Sequence, residues 1–358
     1  MQFNAVIKLG IFAILLTTLL ACGSGENLIH SPSPAEPKFT HAGLDGHIVE
    51  QLIPTEKDLL AATDKGLYRL NATGNWDLLT QADWHILDAV VVNDRHLLIS
   101  VKNRDDAFLI ESMDGGQNWM FVEQNFGGTD SAKREPIHRL YYDHTTQKLY
   151  GIGYAVLAVS ADLGRQWHVL DGQWFGFARG LWTLNLHDGS GDLWYGGQGA
   201  IENPVLRHFS QANLTLVEHS QIDEFLQKPS TVRSIRFHPD KPERVYVSGE
   251  GGLIQSTDYG ATWQALYTND HYRFYFDFML DPVDPNILYT AGWDKKFNDP
   301  QPLNLEISRD GGQNWLQYTF GNDSFFGGVY SMAWHQIGGQ KRLYLGLYKG
   351  GVMEVLFQ

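Results

Sequence analysis

The chain has 358 residues, 27 basic and 41 acidic side chains, and a formal net charge of −14 at pH 7. That balance argues against a general nucleic-acid binder, which a polyanion would repel. The single cysteine excludes a disulfide framework, and 13% aromatic residues with 37 glycines and no long helical periodicity point to an all-β chain.

From Ala5 to Ala21 the chain is apolar apart from Lys8, Gly10 and two threonines, and it runs into Leu19-Leu20-Ala21-Cys22. The segment is short for a membrane span and ends in small residues, so it is set aside from the fold. It resembles a bacterial lipoprotein signal whose Cys22 becomes the lipidated first residue. Several acyl chains on one residue would hold the protein at a membrane face, where one chain alone anchors weakly. Gly23 in the next position implies, by the sorting rules of that class, the periplasmic side of an outer membrane. The Gly, Ser, Asn and three Pro that follow read as a flexible tether. The expected division is a signal over 1–21, lipidated Cys22 and tether over 22–37, and one β domain over 38–358.

Seven short apolar runs then recur as second strands of repeated units: Leu59–Ala62, Leu97–Ile99, Leu149–Ile152, Leu193–Tyr195, Val245–Val247, Ile287–Tyr289 and Leu343–Leu345. Four units carry the motif Ser-x-Asp-x-Gly-x-x-Trp, with Asp114 and Trp119, Asp162 and Trp167, Asp258 and Trp263, and Asp310 and Trp315. The motif serines are 48, 96 and 52 residues apart, so one period of roughly 48 has lost a copy. A fixed period of that size signals a propeller or solenoid. Each copy lies between apolar stretches, as a turn in which Asp accepts backbone N–H groups and Gly supplies a positive φ. Units one and four have eroded copies near Asn71–Trp76 and Ser210–Leu216. The seventh unit ends at Val352–Phe357 without a fourth strand, and Lys38–His41 is placed to supply it. Pairing the two chain ends would remove the free sheet edges. The expectation is a seven-bladed β-propeller.

The motif resembles the Asp-box, or BNR repeat, of β-propellers, found in sialidases, xyloglucanases, sortilin-type receptors and photosystem II assembly factors. Over about residues 38–358 the chain resembles the single seven-bladed propeller of the assembly-factor type, best in Val232–Trp263. That resemblance implies a docking platform with an arginine-rich patch.

In such a blade the loops joining strands two and three share a face with the starts of the inner strands; the Asp-boxes lie opposite. Near the inner-strand starts stand Arg139, Arg179, Arg233 and Arg273. Four guanidinium groups around one funnel need anions or carboxylates between them. They form either an anion-binding pocket, since planar Arg captures carboxylate or phosphate in bidentate fashion, or a closed network with Glu250, Asp294 and Asp277. The favoured function is a non-catalytic, lipid-anchored envelope scaffold, a monomer that binds a protein partner or an anionic ligand such as an acidic glycan. The alternative is a sialidase-like glycoside hydrolase with Tyr330 as nucleophile and Glu250 or Asp294 as its carboxylate, arginines holding the sugar acid. Against it, the first unit reads His47-Ile48-Val49-Glu50 where sialidases carry an Arg-Ile-Pro-like strand. The 14 histidines include no HExxH or closely spaced ligand set, so no metal or cofactor is expected; His47, His85, His138 and His335 could approach the funnel.

Overall fold

The computed structural model describes residues 36–104, 106–129, 134–268, 273–322 and 324–357. The signal segment, Cys22 and the tether up to residue 35 lie outside the described residues. All seven expected second strands form, and each sits in its own four-stranded antiparallel sheet, giving seven blades. Blades 1 to 6 run inner strand to outer strand in chain order. Blade 7 takes its outer strand, Pro37–His41, from the front of the domain, paired antiparallel with Val352–Phe357.

Strand alternation explains why blades stack. A blade buried on both faces cannot show a polar side, and the second strands accordingly read as continuous apolar runs: Leu59–Thr63 and Leu288–Gly292 are buried at every residue. Each adjacent pair of blades shares one apolar cluster. The cluster that closes the ring joins Val49, Leu52, Leu59 and Leu70 of blade 1 to Ala333, Tyr344 and Val352 of blade 7.

The four Ser-Asp-Gly-Trp turns share one hydrogen-bond pattern. In the first, Ser112 Oγ donates to Asp114 Oδ1 at 2.8 Å, Gly116 N donates to Ser112 Oγ at 2.8 Å, and Asn118 N donates to Asp114 Oδ1 at 2.9 Å. These bonds, led by those from Asn118, hold the Asp114 carboxyl down at about 2. Each tryptophan then packs on the preceding blade or the chain just leaving it. Trp119 Nε1 donates to Leu79 O at 2.7 Å, and the rings of Trp167, Trp263 and Trp315 meet Phe126, His219 and Tyr267. In the eroded first copy Asn71 takes the aspartate's place, accepting from Thr73 N and Asn75 N at 3.0 Å each.

Candidate functional site

The opposite face is built differently. Inner strands in five blades begin with a register shift, between Val49 and Gln51, Ile86 and Asp88, Leu181 and Thr183, Val232 and Ser234, and Val329 and Ser331. Each shift leaves one residue without an opposite neighbour: Glu50, Leu87, Trp182, Arg233 and Tyr330. In blade 3, His138 N donates to Ile152 O at 2.8 Å while Arg139 also sits opposite Ile152, so His138 takes the same role. In blade 6 the corresponding residue is Phe276, just ahead of Asp277. Bulges re-aim a side chain out of the pleat, here toward the central axis.

Six of those seven residues, all but Phe276, line one axial cavity of about 290 Å³, together with His85, Lys102, Pro136, Arg139 and Tyr154. One residue further along the strands, Gln51, Asp88, Arg139, Thr183, Ser234 and Asp277 line a second cavity of about 160 Å³. Arg139 and Arg233 border both. The axis is thus two stacked layers with two guanidiniums between them.

The deeper layer is closed on itself. Asp277 accepts from Met332 N at 2.9 Å, Ser234 Oγ at 2.9 Å and Arg236 Nη2 at 2.8 Å. Asp88 accepts from Leu140 N at 2.8 Å and Ala89 N at 2.9 Å; burial pushes its carboxyl up to about 6 against these bonds and the charge of Arg139.

The outer layer is not. Its lining holds three permanent cations, Lys102, Arg139 and Arg233, against one carboxylate, Glu50. Burial opposes ionisation of Glu50, but the His85 hydrogen bond at 3.0 Å and the charges of His85, Arg139 and Arg233 outweigh it and lower its value. Arg139 Nη1 is spent on the carbonyls of Leu87 and His138, at 3.2 and 2.6 Å. Arg233 has no hydrogen bond or ion pair among the described residues, and its buried Nε has no partner. Its guanidinium lies 4.0 Å from the Phe276 ring centre and 5.3 Å from that of Trp182. Burial and the charge of Arg139 pull it down to about 10, partly offset by Tyr330, Glu50 and Asp277. His138 stacks on Trp182 at 4.4 Å, and burial holds its imidazole down at about 4.

Of the four arginines singled out in the sequence, Arg139 and Arg233 therefore meet at the axis. Arg179 and Arg273 do not: each stands three residues before the bulged residue of its blade. Arg179 is exposed and pairs with Glu202 at 2.8 Å. Arg273 is turned into blade 6, with Asp294 at 2.8 Å, Gln317 at 3.1 Å and the buried Glu306 at 3.6 Å. Two of the four guanidiniums thus share an axial cavity, and of the expected carboxylate partners only Asp294 is found on one of the four, Arg273; Glu250 pairs with Lys295 and Asp277 with Arg236.

The hydrolase residues also separate. Tyr330 lines the axial cavity, but Glu250 pairs with Lys295 at 2.6 Å and Asp294 with Arg273. The acid whose charge reaches Tyr330 is Glu50, and burial, with that charge, raises the phenol far above its usual value. Of the four histidines, His85 and His138 line the cavity; His47 hydrogen-bonds Tyr68 at 3.1 Å and His335 packs beside Tyr344. Glu50, Leu87 and Trp182 were not anticipated as wall residues. A quartet of apolar, any, small or polar, apolar would have found them, as in Leu181-Trp182-Thr183-Leu184 and Tyr275-Phe276-Asp277-Phe278.

Glu306 gives a direct check on the Arg273 network. Its carboxyl oxygens are buried without a hydrogen-bond partner, and burial lifts it to about 8 despite Arg273. The folded protein therefore holds a proton that the unfolded chain releases near pH 4.5. Its contribution to stability is full below that value and is lost as pH rises toward 8. Glu306→Gln should be more stable than wild type at pH 9 by a few kcal/mol, with the gap closing by pH 5, read from thermal unfolding.

No protein-family model matches the chain, and no curated protein matches it in sequence. Solved structures do match in fold. The GH74 enzyme of Niastella koreensis superposes with a TM-score of 0.67 at 16% identity, over 88% of this chain and 53% of that one. YCF48 bound to a D1 peptide gives 0.62 at 15% identity, over 92% of this chain and 97% of that one. YCF48 from Cyanidioschyzon merolae gives 0.63 at 12% identity, over 89% and 98%. The chain spans about half the length of the GH74 enzyme and nearly all of both YCF48 chains. At these identities the likeness establishes a seven-bladed propeller.

Proposed function

We propose that this chain is a non-catalytic binding propeller of the bacterial envelope, acting as an assembly platform that receives an anionic group of a protein partner in its axial cavity. The observation that carries the proposal is Arg233: a guanidinium held between aromatic rings, with no carboxylate of its own, in a cavity lined by three permanent cations and one acid. A half-buried guanidinium without a hydrogen-bonded counter-ion is held at some cost, and an incoming carboxylate would supply the missing partner. That YCF48, a propeller of similar span, is solved with a peptide bound supports the choice of a protein ligand.

Membrane attachment through Cys22 rests on the Leu19-Leu20-Ala21-Cys22 sequence, and the periplasmic side of an outer membrane on Gly23 in the next position. Cys22→Ser should move the protein from the membrane fraction to the soluble fraction of a cell lysate; retention in the membrane would count against lipidation.

A fluorescein-labelled peptide rich in glutamate should bind the purified chain, weaken steadily with added salt, and lose to an unlabelled copy. The same peptide with glutamine at every glutamate should not compete. Equal competition by the two would overturn the anionic assignment.

A further inference from the structure

Two loops beside the cavity mouth expose large apolar side chains. Phe177 is 91% exposed, Ile201 71% and Phe175 47%. Phe175 and Phe177 lie on the loop entering the inner strand of blade 4, and Ile201 on the loop joining that blade's second and third strands.

These loops are clamped to the cavity wall. The buried Glu135 carboxylate accepts from Phe175 N and from Tyr154 N, each at 2.6 Å, and Tyr154 lines the cavity. Arg179 N donates to Gln198 O at 3.2 Å, and the Arg179 side chain pairs with Glu202, next to Ile201. Ser230 N donates to Glu202 O at 3.0 Å, fixing the second loop to the approach to Arg233. A side chain at Gly180, φ +144°, would strike the Trp182 ring at 2.6 Å, so the chain turns down from the exposed loop directly onto the wall. Three apolar groups are therefore presented at fixed positions beside blades 3 to 5, the sector that supplies His138, Trp182 and Arg233.

We infer that Phe175, Phe177 and Ile201 form an apolar ledge for a protein segment that places an acidic side chain in the axial cavity and large apolar neighbours on this rim. This rests on the cavity as an anion site, proposed above, and adds the partner's pattern and the side from which it enters. Charge complementarity selects a protein over a lipid surface. The ledge loops carry one Arg, Arg179, already matched by Glu202, so they offer no cationic collar to anionic headgroups. Two of the three cations, Arg139 and Arg233, are half-buried in the recess, which a single side chain reaches and a bilayer does not; Lys102 alone of the three is exposed.

The test pans a random-peptide phage library against the purified wild-type chain, then measures the enriched peptides by fluorescence polarisation. The expected consensus has Asp or Glu flanked on one side by Phe, Leu, Ile or Trp. Phe177→Ser with Ile201→Ser should weaken these peptides about tenfold or more, and Arg233→Gln should weaken them roughly 100-fold. A consensus that is acidic but indifferent to the two serine substitutions overturns the ledge and leaves the cavity standing. Enrichment indifferent to Arg233→Gln and to Arg139→Gln overturns the cavity, and the ledge with it. Binding of the chain to phosphatidylglycerol vesicles that disappears with Phe177→Ser assigns the exposed groups to a membrane and overturns the proposal. Unaltered thermal unfolding of the exposed-loop variant shows that its losses come from contact and not from folding.

Discussion

Arg233→Gln should cost about 3 kcal/mol of binding to an acidic peptide, roughly 100-fold in Kd, while leaving the fold as stable as before or more so. The two halves of this expectation share one cause. In the free protein the guanidinium has lost water on several sides and gained two aromatic faces but no counter-ion, so its charge is held at a cost. Glutamine removes that cost, and the domain should gain up to about 1 kcal/mol in thermal unfolding. A bound carboxylate would meet Arg233 and Arg139 where water is scarce, so charge-assisted bonds count for more than at the surface. Parallel titration calorimetry and thermal melts separate the outcomes. A variant that binds normally, or one that unfolds well below wild type, would show Arg233 to be a structural cation.

Removal of residues 36–41 should be the most damaging change to the fold. These residues supply the whole outer strand of blade 7, with five paired positions from Pro37 opposite Phe357 to His41 opposite Met353. Phe39 packs on the blade 6–7 core and meets Phe320 at 5.4 Å between ring centres. Ladder bonds at about 1 kcal/mol each and one half-buried phenylalanine sum to about 5 kcal/mol. The loss should also bare Val352–Phe357 as an open edge, and edges pair with other chains. A lower melting temperature, with dimers and larger species in light scattering, is expected. A monomer that melts like wild type would show that the ring holds without its clasp.

How much of this was legible beforehand follows the physics of each feature. The blades were, because a sheet buried on both faces writes uninterrupted apolar runs and because Asp, Gly and Trp mark a turn by backbone geometry. The closing strand was, because the last unit visibly lacked a fourth member. The axial site was legible only in part. Counting from the strand starts aligned Arg179 and Arg273 with Arg139 and Arg233, yet the first two sit three residues too early to reach the axis. What turns a side chain inward is the bulge, and its signature in Val232-Arg233-Ser234-Ile235 lies in the flanking apolar pair and the small polar residue, not in the arginine. Glu50 and Trp182 stand in the same frame and carried no charge pattern to draw notice.

The bulges have a consequence for how such a molecule can change. A side chain at a bulge has no partner across the ladder, so replacing it leaves the pleat and the register as they were. The axis behaves as a dial of seven settings on one frame, here glutamate, leucine, histidine, tryptophan, arginine, phenylalanine and tyrosine, with neighbouring settings in contact. A new ligand could be accommodated by turning one setting at a time, without renegotiating the frame that displays it.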